Sequence, residues 1–464
     1  MSDMIVRTRF SPSPTGLLHL GNVRAALFST LFAAKHNGVF VLRMEDTDQT
    51  RSTTQFADIL QQDLRWLGMH WQEGPYWQSK RGDIYAEYYD ALESKNRAYP
   101  CFCTDEELAL HRKLQLSRSE APRYAGTCRA LSRDEISQKI AEGRKPALRF
   151  RIPANEKIEF IDLVKGKQVF NSNDIGDFII RRADGSSSFM FCNAVDDALM
   201  GITHVLRGDD HLANTPRQLM ILNALQKKAP QYGHLSLILG EDGSPLSKRH
   251  GSFSLSDLRE KGFLPLAVLN YLSRLSHVYA ETTLQSFSEL AERFFIEKIS
   301  SSAAKFDLHQ LMHWQKEAVL KMDAASFRDW LGETRLSAVP FDKRDLFVAM
   351  MQHNIVFPSE ADTWINILFN EGTPFSSSDD IILKEAGSDF FEQAIALTEK
   401  HGTQLKNTLD ELKTLKNVSG KSLFMPIRVA LTMMHHGPEL GTIATLLGSQ
   451  KMKERFRLAG AHIA

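Results

Sequence analysis

Disulfide chemistry is nearly excluded by scarcity: only Cys101, Cys103, Cys128 and Cys192 occur in 464 residues. Four thiols cannot staple a chain of this length, and they fit a reducing compartment. No apolar run approaches the ~18 residues that a membrane-spanning helix needs. The N-terminal segment carries Arg7 and Arg9 but no apolar stretch suited to a signal peptide, so a cytoplasmic location is expected. Charge of one sign is also missing, because 56 basic residues balance 56 acidic ones. Any nucleic-acid contact must therefore come from local basic patches and not from a global field. There is no Gly-x4-Gly-Lys-Ser/Thr loop, no Gly-x-Gly-x-x-Gly fingerprint, no internal repeat and no long low-complexity tract.

What is present is a soluble globular composition, 43% hydrophobic and 24% charged, in a chain long enough for two to four domains. The apolar run Met4–Phe10 reads as a strand. Val23–Lys35 has apolar residues at helical spacing. Between them lies Ser11-Pro-Ser-Pro-Thr-Gly-Leu-Leu-His19-Leu-Gly21-Asn22. A Pro/Gly-rich loop opening a helix after a strand turns backbone N–H groups and the positive helix end toward one point, where a phosphate can sit. His19 can add a donor. Alone, this is also the description of an ordinary strand–turn–helix connection.

A second motif, Pro245-Leu-Ser-Lys248-Arg-His-Gly251, lies more than two hundred residues downstream in a Gly/Ser/Pro-rich loop. A lysine on such a loop can close over a triphosphate and offset charge on a leaving pyrophosphate; alone, it reads as a solvated basic turn. Together with Met44-Glu-Asp-Thr-Asp48, the two motifs resemble the signatures of class I aminoacyl-tRNA synthetases, and glutamyl-tRNA synthetases in particular. The resemblance covers nearly the whole chain and is most specific up to Gly251.

The alternation of elements predicts an α/β, Rossmann-like nucleotide-binding domain split by an insertion and followed by an all-α region. Strands are expected at Val39–Arg43, Ala147–Ile152, Phe178–Arg182, Thr203–Arg207 and His234–Leu239. Helices are expected at about Thr54–Leu67, Asp105–Ser117, Thr215–Leu225, Leu264–Leu275, Ala361–Leu368, Asp389–Lys400 and Ser422–His435. The domain boundaries expected are 1–90 and 191–255 for the two catalytic halves, 91–190 for an inserted domain that binds the tRNA acceptor end, 256–320 for a stem-contact region, and 321–464 for a helical anticodon-binding domain.

The resemblance implies a two-step reaction, in which glutamate is activated by ATP to glutamyl-adenylate and then transferred to the 3′-terminal adenosine of tRNA(Glu). It implies that His19 and Lys248 stabilise phosphate charge, that Gly21 admits the nucleotide, and that Asp210 and His211 contact ATP. Arg9 and Arg207 would hold the glutamate side chain with help from Ser11. Glu45 would pair with the amino group, Asn193 would meet the α-carboxylate, and Phe189 would line the pocket. Mg²⁺ is expected with ATP. Phe189 stands where the family usually has tyrosine, and Pro245 where it usually has lysine. Cys101, Cys103 and Cys128, with Tyr124 as fourth ligand, resemble the family's zinc site, although the histidine some members carry is Ala130 here; three reduced, metal-free thiols remain the alternative. Phe306, Leu311 and Trp314 resemble a stem-contacting segment, or mark a helix with an apolar face. The expected partners are L-glutamate and tRNA(Glu), with tRNA(Gln) as an alternative substrate of a diverged copy; no membrane is expected, and the chain is expected to act as a monomer. A small-molecule nucleotidyltransferase and a non-catalytic RNA-binding relative are the readings from other classes.

Overall fold

The computed structural model describes residues 5–48, 50–244, 246, 254–370 and 374–463. Two compact units are present: residues 1–260 with 265–311, and residues 261–264 with 312–464.

The first unit is organised by parallel strands. Arg7–Phe10, Val39–Met44 and Glu73–Trp77 form one sheet, with Arg7 opposite Val39 and Val41 opposite Glu73. Val39–Met44 is buried at all but its first residue, as expected where helices cover both faces of a parallel sheet. The helix Leu20–Lys35 makes the first crossover. It is buried almost all round from Val23 to Ala33, as a central helix must be. The chain then turns back at Gly38, where a Cβ would overlap the Val6 carbonyl oxygen; only glycine fits that close approach.

A second parallel pair, His204–Gly208 and Gln231–Leu235, is connected through the helix Thr215–Ala224. It meets the first sheet edge to edge: Thr203 N–H donates to Arg7 O at 2.8 Å, and Arg7 N–H donates to Thr203 Oγ1 at 2.8 Å. The chain thus winds outward from Arg7–Phe10 in one direction and then in the other. The carboxyl ends of Arg7–Phe10 and His204–Gly208 lie at the point of reversal, where an α/β sheet opens a ligand crevice.

The expected single strand His234–Leu239 is two short strands. Gln231–Leu235 belongs to the parallel pair, and Ile238–Leu239 pairs with Ala304–Lys305. The break falls at Ser236, whose carbonyl oxygen accepts from Arg24 and whose hydroxyl donates to Ser301 O. Polar anchoring pulls the chain out of the ladder there. The helix Phe189–Leu199 has no counterpart among the expected elements. Its buried face includes Asn193, Asp196 and Asp197, which mask the apolar period that announces a helix.

Between the two halves lie an antiparallel sheet of Ala98–Cys101, Ala147–Phe150 and Phe178–Arg181, and a hairpin of Lys157–Asp162 with Gly166–Asn171. Leu163 N–H donates to Tyr232 O at 2.8 Å, which seats the hairpin on the parallel pair. The helices Asp105–Ser117 and Arg133–Ala141 each start with a capping box and bury no residue, so caps and not packing define their ends.

The second unit carries no strand among the described residues. Glu360–Phe369, Ser388–His401 and Lys421–Thr432 bury Trp364, Phe391 and Ile427 in one core. The last of these stops before the expected His435, because Met433 turns left-handed (φ 55°) and its N–H closes onto Val429 O. Phe306, Leu311 and Trp314 are all buried, which favours the apolar-face reading of that motif. No helix among the described residues is long and apolar enough to cross a membrane.

Candidate active site

A cavity of about 490 Å³ opens at the sheet reversal, a size suited to a small-molecule site. Its lining brings together Arg9, Ser11, His19, Gly21, Glu45, Phe189, Asn193, Arg207, Asp210 and His211. Lys248 and Pro245 lie outside the described residues.

The signature loop is held from beneath. Glu45 N–H donates to Pro12 O at 2.9 Å, and Thr53 N–H donates to Pro14 O at 3.1 Å. His19 is the N-cap of Leu20–Lys35, and its Nδ1 accepts from Asn22 N–H at 3.4 Å. That bond puts the proton of the neutral ring on Nε2. Crowding by protein atoms holds the His19 pKa below the usual histidine value, against the pull of Asp210. His19 is therefore a neutral N–H donor near pH 7. Gly21 is glycine for a reason close at hand: a Cβ there would meet the His19 ring at 3.1 Å.

The floor of the cleft is an ion cluster that the sequence did not announce. Arg43 is fully buried; its Nη1 donates to Asp197 Oδ1 at 2.8 Å and its Nη2 to Asn193 Oδ1 at 2.8 Å. Glu45 and Asp196 lie 3.8 and 4.0 Å away. Arg9 Nε reaches Asp197 Oδ1 at 3.4 Å. Asp196 is turned the other way, onto Arg81, Gln78 and the Tyr85 hydroxyl. Burial pushes the Glu45 carboxyl up to about 7, with Arg43 and Arg9 opposing.

Arg207 differs from Arg43 in kind. Its Nε donates to His234 Nε2 at 3.1 Å, and its Nη2 to Thr215 Oγ1 and Gln218 Oε1, each at 2.9 Å. These three acceptors and a fourth, His211 O at 3.4 Å from Nη2, are uncharged, so no carboxylate is in contact to cancel the cation. Burial lowers its pKa to about 10, and it stays charged near neutrality. Four buried polar atoms along the cavity have no partner among the described residues: Ser11 Oγ, Arg24 Nε, Asn193 Nδ2 and Arg207 Nη1. Buried polar atoms are rarely left so unless something else meets them.

On the opposite wall Phe189 stacks on His211, with centroids 5.3 Å apart. Phe189 offers the cavity no hydroxyl at this position. Arg24, also missed in the sequence, donates to Ser236 O and, at 2.9 Å, to Ser276 Oγ. It pins the segment that borders the cavity at Ser236–Ile238.

A separate group lies in the inserted segment. The ligand atoms of Cys101, Cys103 and Cys128 are within 4.8 Å of one another. The Tyr124 hydroxyl is 3.4 Å from Cys101 Sγ and 3.6 Å from Cys103 Sγ, and Cys103 Sγ is 3.7 Å from Cys128 Sγ. Bonds of ~2.0–2.3 Å in a tetrahedron give edges of ~3.3–3.8 Å. Three of the six edges among these three thiols and one phenol have that length, and thiolate chemistry suits zinc. Cys128 N–H donates to the Tyr124 hydroxyl at 2.8 Å, and Arg149 Nε–H donates to Cys101 Sγ at 3.1 Å.

Comparison with known proteins bears on both units. Residues 5–313 match the family described as tRNA synthetases class I (E and Q), catalytic domain, and residues 323–459 match the anticodon binding domain family. The chain is 50% identical to glutamate–tRNA ligase 2 of Coxiella burnetii (strain RSA 331 / Henzerling II), over 98% of this chain and 100% of that protein. It is 47% identical to glutamate–tRNA ligase 2 of Nitrosococcus oceani, over 98% of each. Among solved structures, a glutamate tRNA ligase from Elizabethkingia meningosepticum in complex with its amino acid superposes with a TM-score of 0.90 at 26% identity, covering 99% of this chain and 100% of that one.

Proposed function

The chain belongs to the class I tRNA synthetases, in the glutamate–tRNA ligase family, and on that footing we propose how its residues divide the work of joining glutamate to tRNA. One observation carries the assignment: Ser11 Oγ, Asn193 Nδ2 and Arg207 Nη1 are unpartnered buried atoms around a single cavity that also holds Glu45. Two donors and a cation suit the two carboxylates of glutamate, and Glu45 suits its ammonium group. Arg207 takes the side-chain carboxylate with Arg9, Ser11 assists, and Asn193 takes the α-carboxylate.

ATP enters with Mg²⁺ as its counter-ion, its triphosphate toward the amino end of Leu20–Lys35. Gly21, Asp210 and His211 line the nucleotide's share of the cavity. A glutamate α-carboxylate oxygen attacks the α-phosphorus, the bond to the bridging oxygen breaks, and pyrophosphate leaves. This step needs positioning and charge stabilisation more than a protein nucleophile. His19 donates through Nε2–H, and Lys248 supplies positive charge. The hydroxyl of the tRNA terminal adenosine then attacks the acyl carbon, and AMP departs.

Glu45 gives the cleft a pH dependence. Its carboxyl keeps its proton below about 7 and is charged above. The kcat/KM for glutamate is expected to fall toward tenfold per unit as pH drops below 7. In Glu45→Gln that slope is expected to vanish at a uniformly low value. A flat wild-type profile between pH 6 and 8 would remove Glu45 from amino-group recognition.

Zinc, where bound, would be held by Cys101, Cys103, Cys128 and Tyr124 and would brace the inserted segment without taking part in chemistry. Elemental analysis is expected to find one zinc per chain, and less in Tyr124→Phe; a metal-free, folded protein would leave the group as reduced thiols.

The reading carries with it a monomer that works in the cytoplasm on free tRNA. The numerals in the relatives' names fit organisms with more than one such ligase, and so keep tRNA(Gln) as a second substrate in view. Charging purified tRNA(Glu) and tRNA(Gln) side by side with labelled glutamate tests this. We expect label on tRNA(Glu). Label on tRNA(Gln) alone makes the chain a diverged copy, and label on neither overturns the reading.

A further inference from the structure

Two buried residues with no assigned part stand behind Arg207. Asp162 ends the strand Lys157–Asp162 of the inserted hairpin, and His234 lies in the parallel strand Gln231–Leu235. Both are almost wholly buried. Asp162 Oδ2 is 2.5 Å from His234 Nδ1, and Asp162 Oδ1 accepts from His234 N–H at 3.1 Å. A carboxylate at Nδ1 requires the proton there, which leaves Nε2 as a lone-pair acceptor. Nε2 faces Arg207 Nε at 3.1 Å and Thr215 Oγ1 at 3.1 Å.

We propose that Asp162 and His234 are positioning residues for substrate glutamate: they lock the imidazole as an Nε2 acceptor, which holds the Arg207 guanidinium in the one orientation that turns Nη1 into the cavity. The inference rests on the reading that Arg207 binds a glutamate carboxylate.

The arrangement has a physical logic that a direct salt bridge lacks. A carboxylate placed against Arg207 would orient it equally well but would cancel the charge that the substrate needs. Asp162 sits one ring away instead. Its charge is spent on the His234 N–H and on the backbone N–H groups of Val164 and Lys165, at 2.9 and 2.8 Å. Only a neutral lone pair reaches the guanidinium. The other tautomer could turn Nε2–H to Thr215 Oγ1, but it would set that donor against Arg207 Nε–H, leave the Arg207 Nε–H buried without an acceptor, and face the Asp162 carboxylate with the Nδ1 lone pair. Burial lowers the His234 pKa, which keeps the ring neutral as the arrangement requires. The hairpin that supplies Asp162 thus reaches from the inserted segment to the amino-acid pocket.

The test compares His234→Phe, His234→Gln and Arg207→Ala in the full-length chain, by tRNA(Glu) charging with glutamate and ATP varied separately. Loss of a hydrogen bond to a charged group corresponds to about 10- to 100-fold. His234→Phe is expected to raise the glutamate KM by that factor, with the ATP KM within about twofold of wild type. His234→Gln, which can offer Oε1 as acceptor, is expected to recover most of the loss. A normal glutamate KM in His234→Phe alongside a raised one in Arg207→Ala overturns the positioning role alone. A normal KM in Arg207→Ala overturns the reading of Arg207 as well. One measurement needs no variant to fold: in ¹⁵N-histidine-labelled wild-type protein, His234 is expected as the neutral Nδ1–H tautomer, and an Nε2–H signal overturns the proposal.

Discussion

Replacing Arg43 by leucine is expected to destabilise the strand-bearing unit by about 3 kcal/mol, the lower end of the range for removing one partner of a buried ion pair. The lower end applies because the three carboxylates around Arg43 are not equally exposed by its loss. Asp196 keeps Arg81 at 2.8 Å, and Asp197 keeps the longer contact to Arg9 at 3.4 Å. Glu45 escapes by holding its proton, since its pKa already lies at about 7. Most of the cost then falls on Asp197, whose Oδ2 is buried and unpartnered even with Arg43 present. Hydrogen exchange of the Val39–Met44 amides reports this unit by itself. Arg335→Leu in the second unit is the contrast. Its bond to Asp362 at 2.8 Å is as short, but both side chains are a third or more exposed, so less than about 1 kcal/mol is expected. If Arg43→Leu exchanged like wild type to within about 1 kcal/mol, the cluster would have to be held by packing and not by Arg43.

The α/β class and the signature loop were legible because each rests on local patterns: apolar runs for buried strands and helical periodicity after a Pro/Gly loop. The ten described residues expected around glutamate and ATP do line one cavity, because they sit in motifs at strand ends, which topology brings together. What escaped was the buried polar framework beneath them. Arg43 reads in sequence as the polar end of an apolar strand. Asp196 and Asp197 look like a solvated pair. Asp162 and His234 are 72 residues apart. None has a period or a spacing, since each is placed by a partner distant in the chain. A signal did exist: an arginine inside Val39–Met44, a strand otherwise buried on both faces, cannot be solvated there and requires a carboxylate partner.

The largest effect on rate is expected at Lys248, for a reason set by the charges already committed around it. His19 is a neutral donor. Among the described arginines of the cleft, Arg9 and Arg43 are tied to Asp197, Arg24 holds Ser236 and Ser276, and Arg207 is turned to the amino acid. Beyond Arg207, only Arg24 among those lining the cavity keeps an unpartnered donor, its buried Nε, so few protein cations are left to meet the negative charge that gathers on departing pyrophosphate. The described residues that flank positions 247–253 are tied to the cleft. Leu246 lines the cavity and donates from its N–H to Ile238 O at 2.9 Å; Ser254 is bridged to His19, and Leu255 N–H donates to Leu18 O at 3.0 Å. With proline at position 245, no second lysine shares the task. Lys248→Ala is therefore expected to lower the kcat for adenylate formation by about 10²–10³, the usual scale for removing one electrostatic stabiliser of a transition state. The glutamate KM should stay within about twofold, because this charge acts on the leaving group and not on bound amino acid. Pyrophosphate exchange in the presence of tRNA(Glu) measures both quantities. A normal kcat would falsify the role, and a rise confined to the glutamate KM would move Lys248 from the phosphates to the amino-acid side.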